Sequence, residues 1–339
     1  MSTARTLLFS VLTLPALALA QSNNIDLFSF VMSDAQLIAG AHVDSAKNSP
    51  FGQFVLSQSP MGEKYLQSFI AETGMDPRAD ITEVIGAWNG APTANGHWLI
   101  AARGTFGSSI ETMEVNALKN GAVITRLPGV DLLAITKPGM NTQEANLCIA
   151  LFTDGFTDLI GDCTSVNAAI QFGSSSFGAA SPVAMTARDL RAKQDLWFAS
   201  AVPLSEISSF VPTGATGSGS PLSGVLNSKL FLAIQQISGG VKFPSASQGS
   251  GAQLSAELLL DSPQDATSLL NVVNFLASIV QMNSSSIPAA APFLALLSNL
   301  ETSVAGSTLN VGLNISETSL EQLFQQVAQL AQNHAALKN

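Results

Sequence analysis

Charge is scarce in this sequence. Asp, Glu, Lys and Arg make up 11% of it, against about 25% in an average soluble domain. Acidic residues outnumber basic ones 24 to 14, for a formal net charge of −10. No cluster of Lys and Arg reverses that sign locally, so nucleic acid and anionic lipid surfaces are excluded as partners. Histidine is rarer still: His42, His97 and His334 are the three, and no two are close in sequence. Neither H-E-x-x-H nor C-x-x-C occurs, so a zinc site would have to be assembled from distant residues. G-x-S-x-G and S-x-x-K are missing, which removes the common ways of presenting an activated serine. Without G-x-G-x-x-G or a Walker lysine there is no phosphate cradle, and no cofactor is expected.

What is present begins with an export signal. Arg5 supplies a short positive start, residues 7–17 form an apolar run interrupted by Pro15, and Ala18-Leu19-Ala20 is a small-x-small cleavage site. The run is shorter than the ~20 residues a membrane span needs. The expected mature chain therefore starts at Gln21, periplasmic or secreted, with no stable membrane span. Loss of Arg5 with the leader makes it one charge more acidic. Hydrophobic residues at 46% of the chain argue for a substantial core and against disorder.

A strand followed by a polar helix cap and an amphipathic helix recurs along the chain. Residues 37–43 lead into Asp44-Ser45, 98–105 into Ser108 with Glu111 three residues on, and 159–163 into Thr164-Ser165. Residues 254–260 lead into Ser262-Pro263, and 309–315 into Ser316. Such side chains accept from the unpartnered N–H groups of a helix start. Apolar stripes predict helices over 222–237, 291–304 and 318–335, the last carrying His334. Helix 264–281 is apolar nearly all round, which predicts burial on most of its circumference.

Hairpins are predicted where 81–88 and 98–105 flank the loop 89–96, and where 121–127 and 130–135 flank Pro128-Gly129. A third joins 147–152 to 158–163 through Asp154-Gly155. A four-residue loop there sets Cys148 opposite Cys163, and a two-residue turn sets them diagonally. The cysteines are then either bridged, as an oxidising compartment favours, or two buried free thiols. The fold class expected is α+β, two related lobes of mixed or antiparallel sheet covered by helices, with a coarse internal duplication. Residues 1–20 are the signal peptide, 21–173 the first lobe, 174–194 a linker region and 195–339 the second lobe. The Gly/Ser-rich segments 212–224 and 245–251 read as loops.

The run Ala41 to Phe54, together with residues 73–78, 102–106 and the strand 197–203, resembles a family of exported soil-bacterial proteins with no assigned activity. The resemblance implies export and an α+β repeat. It carries no catalytic residues across.

Candidate chemistry is thin. His42 and Asp44 are two apart in a strand, so their side chains share a face and could orient an imidazole. Against that stands a strand-end histidine beside a helix cap. Cys148 or Cys163 could serve as a nucleophile with His97 or His42, but pairing with each other is favoured. Asp154, Asp158 and Asp162 could contribute to a carboxylate pair or a calcium site, yet lack the EF-hand spacing. Gly217-Ser218-Gly219-Ser220 lacks the strand-turn-helix setting of a nucleophile elbow. Trp88, Trp98 and Trp197 fall on strands, where aromatics are usually core; Trp88 and Trp98, flanking the 89–96 loop, would make a binding patch if exposed. The leading expectation is a non-catalytic binding or scaffold protein of the cell envelope, its partner an unknown envelope or extracellular ligand. The alternatives are a hydrolase with a site near His42 and Asp44, and a structural cell-surface component.

Overall fold

In the computed structural model the described residues are 25–57, 60–90, 96–135, 147–172, 181–203, 229–244, 251–282, 299–322 and 325. The expected leader, His334 and most of the helix expected over 318–335 lie outside them. A short 3-10 turn (Leu27–Phe30) precedes β1 (Leu37–His42), then come α1 (Val43–Asn48), α2 (Pro50–Ser57), α3 (Pro60–Thr73) and α4 (Pro77–Asp80). The hairpin β2 (Ile81–Trp88) and β3 (Trp98–Gly104) leads to α5 (Ile110–Lys119). Two more hairpins follow, β4 (Val123–Leu127) with β5 (Val130–Ile135) and β6 (Leu147–Phe152) with β7 (Thr157–Gly161), and then α6 (Cys163–Phe172). The second half contains α7 (Pro182–Arg191), β8 (Leu196–Ser200), α8 (Lys229–Leu232), β9 (Ile234–Lys242) and β10 (Ala252–Leu260). It ends with α9 (Pro263–Met282), β11 (Leu300–Ala305) and β12 (Thr308–Ile315).

All these strands join one sheet of twelve, in the order β11-β12-β10-β9-β8-β1-β2-β3-β7-β6-β5-β4. Every ladder in it is antiparallel, so the α+β class holds and the mixed-sheet option does not. The two halves meet where β1 runs beside β8, Ala39 opposite Phe198.

The two halves follow the same order of strands. Laying β1 on β8 with Leu37 on Leu196 carries Trp88 onto Val241, because each pairs with the residue just matched. The next ladder carries Trp98 onto Leu254, and the next Gly161 onto Gly312. In both halves a helix follows the third strand, and a later strand returns to pair with that third strand. The first half has one hairpin more, β4–β5. Little residue identity survives in this match, since a strand needs only an alternating pattern to keep its place.

Three sequence-based expectations change. The stretch 174–194 contains α7, whose Ser181 hydroxyl accepts from the Ala184 amide at 3.1 Å. Val183, Ala184, Ala187 and Leu190 of α7 are buried against β1, β8 and β9, so a spacing of one helical face outweighs the Gly/Ser-rich flank. The helix expected over 222–237 is helical only at 229–232 among its described residues, and β9 starts at Ile234. Gly239-Gly240 disfavour helix, and the open edges of β8 and β10 supply partners on both sides. The helix expected over 291–304 is strand from Leu300, paired with β12 through a turn at Gly306, whose φ of 59° suits glycine.

Burial is divided between the sheet's faces. On one, the 3-10 turn, α6 and α7 cover Ile38, Ile85, Leu99, Leu159 and Trp197. On the other, α5 covers Leu133 and Leu151 with Phe106 and Met113, while α9 covers Leu260 and Leu309. α9 is one-sided rather than buried all round: Ala266 and Leu269 are enclosed, but Phe275 is 64% exposed. Among the described residues it packs on the sheet and on α8, and Phe275 faces away from both. No helix among them is long and apolar enough to cross a membrane.

Candidate functional site

Between α5 and α9 the second face carries a groove of about 530 Å³. Strand alternation explains its character. Leu37, Ala39 and Ala41 point to this face while Ile38 points to the opposite core, and the register passes the same alternation to Leu196 and Phe198, Val241, Leu254 and Ala256, and Val311 and Leu313. Ala39 and Ala256 are short, so the sheet surface dips there between larger neighbours. Leu300, opposite Leu313, closes the far end. Ser255, between Leu254 and Ala256, turns to the opposite face and there accepts from Gln194 Nε2 at 3.1 Å, so only its backbone reaches the groove. Phe198, mid-sheet, is 38% exposed.

The tryptophan pair lies on the same face. Trp88 and Trp98 are direct cross-strand partners, both half-buried, and the Trp88 ring lies over Gly86. Trp197 is on the other face, stacked on Phe28 with centroids 5.7 Å apart.

His42 and Asp44 do not form a pair. β1 ends at His42 and Asp44 turns away in the first turn of α1, where it binds Lys47 at 2.5 Å. His42 stands opposite Glu83 instead, and Glu83 stands opposite Arg103. Arg191, at the end of α7, binds both Glu83 oxygens, Nη2 to Oε2 at 2.9 Å and Nε to Oε1 at 2.5 Å. Arg103 donates to Glu83 Oε2 at 3.3 Å, and Asp26 accepts from Arg191 Nη1 at 2.8 Å. His42 Nε2 lies 2.9 Å from the Arg191 carbonyl oxygen. This network ties the chain's first described turn and α7 to the sheet. Both oxygens of its carboxylate are engaged by guanidinium groups. Sequence reading missed it because Asp26, His42, Glu83, Arg103 and Arg191 come from five separate segments.

Cys148 and Cys163 form a disulfide with Cα atoms 4.8 Å apart. Cys148 stands opposite Gly161, so Cys163 is two residues beyond it, at the first residue of α6. The diagonal arrangement thus arises with a four-residue loop, 153–156, because the register counts from Phe152 and Thr157. Neither sulfur is available as a nucleophile.

His97 does meet a carboxylate. Its Nδ1 lies 3.2 Å from Asp162 Oδ1, and Asp162 also accepts from the Trp98 amide, the Ser165 amide and the Ser165 hydroxyl at 2.7, 3.0 and 2.6 Å. Burial opposes the charge, but the bonds from Ser165, Trp98 and His97 hold the Asp162 carboxyl below the usual range. Ser165 is bonded to the aspartate rather than the imidazole, the reverse of a nucleophile-base-carboxylate order. Asp162 acts as the cap of α6.

Asp158 is different. It is 7% exposed, and neither carboxyl oxygen has a hydrogen-bond partner. Its cross-strand neighbours are Leu151 and Ala102. Burial pushes its pKa up to about 8, and the Asp154 charge adds to this. Asp154 Oδ1 accepts from the Phe156 amide at 2.8 Å, an ordinary turn contact. Among the described residues no three His, Cys, Asp or Glu side chains gather as metal ligands would.

No family model matches the chain, and no curated protein matches it. Among solved structures, crystal form I of TP0453 is 11% identical with a TM-score of 0.46, covering 90% of this chain and 98% of that one. Crystal form IV of TP0453 is 12% identical with a TM-score of 0.47, covering 88% and 96%. Likeness at that level identifies no function for this chain.

Proposed function

We propose that the protein is an exported, non-catalytic binding protein of the cell envelope, and that its groove receives an apolar ligand. The groove carries this reading. A 530 Å³ concavity is within the ~300–1,000 Å³ of small-molecule sites, and its apolar lining is left uncovered by the described helices. The leader-like first twenty residues and the disulfide both suit a compartment outside the cytoplasm. A hydrolase site near His42 is disfavoured by the geometry there, because Glu83 is engaged by two arginines and Asp44 by Lys47.

Purified residues 21–339 should raise and blue-shift the fluorescence of Nile red at a one-to-one stoichiometry. They should not turn over ester, peptide, phosphate or glycoside substrates, with or without divalent metals. No dye uptake would reject the binding reading. Turnover lost in His42→Ala or Asp44→Ala, with circular dichroism unchanged, would replace it with the hydrolase.

A further inference from the structure

We infer that the groove holds one extended acyl chain of an uncharged single-chain amphiphile, laid across the strands with its head group in solvent. This rests on the binding reading above and names the ligand class.

The shape comes first. Lining residues are contributed by six adjacent strands, from Ala39 on β1 through β8, β9, β10 and β12 to Leu300 on β11. At the ~4.8 Å spacing of neighbouring strands, five steps make a trough of about 24 Å. Its width is set by residues such as Leu254 and Ala256, two apart on one strand and therefore about 7 Å apart. A volume of about 530 Å³ spread over that length leaves a narrow cross-section. It suits a single flexible chain better than fused rings.

Hydrogen bonding comes second. β1, β8, β9, β10 and β12 are each paired on both sides, so their backbone groups are already engaged. The Ser255 side chain faces the opposite side of the sheet, where it accepts from Gln194, so among the described residues the strands offer the groove no polar side chain. A peptide strand laid here would leave its own N–H and C=O groups without partners, a heavy penalty in an apolar site. An acyl chain has no such groups to satisfy. Among the described residues no charged side chain lines the groove to fix an ionic head, and the net charge of −10 opposes an anionic one.

The test uses the protein from Gln21 onward, with Nile red as the reporter. 1-Monoacylglycerols of 8 to 16 carbons should displace the dye, the affinity rising about fourfold per methylene, as burial of each methylene implies, and levelling once the groove is filled. The fatty-acid anion of equal length should bind more weakly at low salt. Ala39→Phe and Ala256→Phe, which raise the floor, should weaken the longest chain at least tenfold. Should either variant misfold, the chain-length series on the unaltered protein decides. A flat series, or stronger displacement by a steroid than by any acyl chain, overturns the acyl-chain assignment while leaving the groove a binding site. Dye uptake confined to concentrations where sedimentation shows a dimer overturns it in favour of a second copy of this chain. Failure of the dye to bind at all rejects the broader reading instead.

Discussion

Gly40 on β1 stands directly opposite Trp197 on β8, and the indole occupies the space a side chain at position 40 would need. A Cβ there would lie 2.2 Å from the indole Cζ2. Trp197 cannot yield easily, since it is 3% exposed and stacked on Phe28. The two halves of the sheet meet at this contact. Gly40→Ala should therefore cost about 1–3 kcal/mol, the range for overpacking a tight core. Chemical denaturation of the variant measures it, and an unchanged midpoint would show that the indole can shift.

Glu83 is 5% exposed and lies between Arg103 and Arg191. Glu83→Gln keeps the shape but leaves two guanidinium groups facing a neutral amide. A loss of about 3–5 kcal/mol is expected, as when one partner of a buried ion pair is removed. The same variant should loosen α7, read as faster amide hydrogen exchange at Ala187 and Leu190. A loss confined to global stability, with α7 exchange unchanged, would show that the clamp does not hold that helix.

Asp158 makes stability depend on pH. Its folded pKa is raised to about 8 from an unfolded value near 3.9, so between these values the folded state holds a proton that the unfolded state has released. The stabilising contribution is complete below about pH 4. It falls as pH rises, by at most about 1.4 kcal/mol per unit, until the folded group itself ionises near 8. Asp158→Asn should flatten the stability profile between pH 5 and 8, as followed by denaturation at each pH. Equal slopes in the two proteins would mean that the carboxyl is solvated.

The Cys148–Cys163 bridge spans 15 residues, and closing a loop of that size restricts the unfolded chain by about 3 kcal/mol. Cys148→Ala combined with Cys163→Ala should lower stability by that order. Because the bridge ties β6 to the start of α6, partial proteolysis of the variant should cut first near 161–165. Alkylation of two thiols in the oxidised native protein would contradict the bridge itself.

On α9, Leu269 is enclosed while Phe275 is exposed. Leu269→Ala should cost about 2–5 kcal/mol as a buried truncation. Phe275→Ala should cost no more than about 0.5 kcal/mol, as surface changes do. Similar large losses at both positions would restore the fully buried helix that the apolar pattern suggests.

Local chemistry made much of this fold legible in the residues alone. The hairpins 81–88 with 98–104 and 123–127 with 130–135 follow from alternation and turn residues. The helix at 263–282 follows from its Ser262-Pro263 start. The cysteines at 148 and 163 were near enough in sequence for their bridge to be weighed in advance.

Position among strands was not legible, because it depends on partners far away in the chain. Residues 234–237 continue the apolar stripe of the helix expected over 222–237, and pairing with the edges of β8 and β10 makes them strand. His42 has Asp44 as its neighbour in sequence, but the register delivers Glu83. The groove was invisible for the same reason: Ala39, Phe198, Ala256 and Leu300 share nothing local, and an alternating strand shows that it has two faces without showing what lies beside either. The residues by themselves determined which segments pair in local hairpins and that 263–282 is helical. The tertiary structure alone decided which apolar face the described helices leave open, since that depends on how much sheet they cover once all twelve strands are in order.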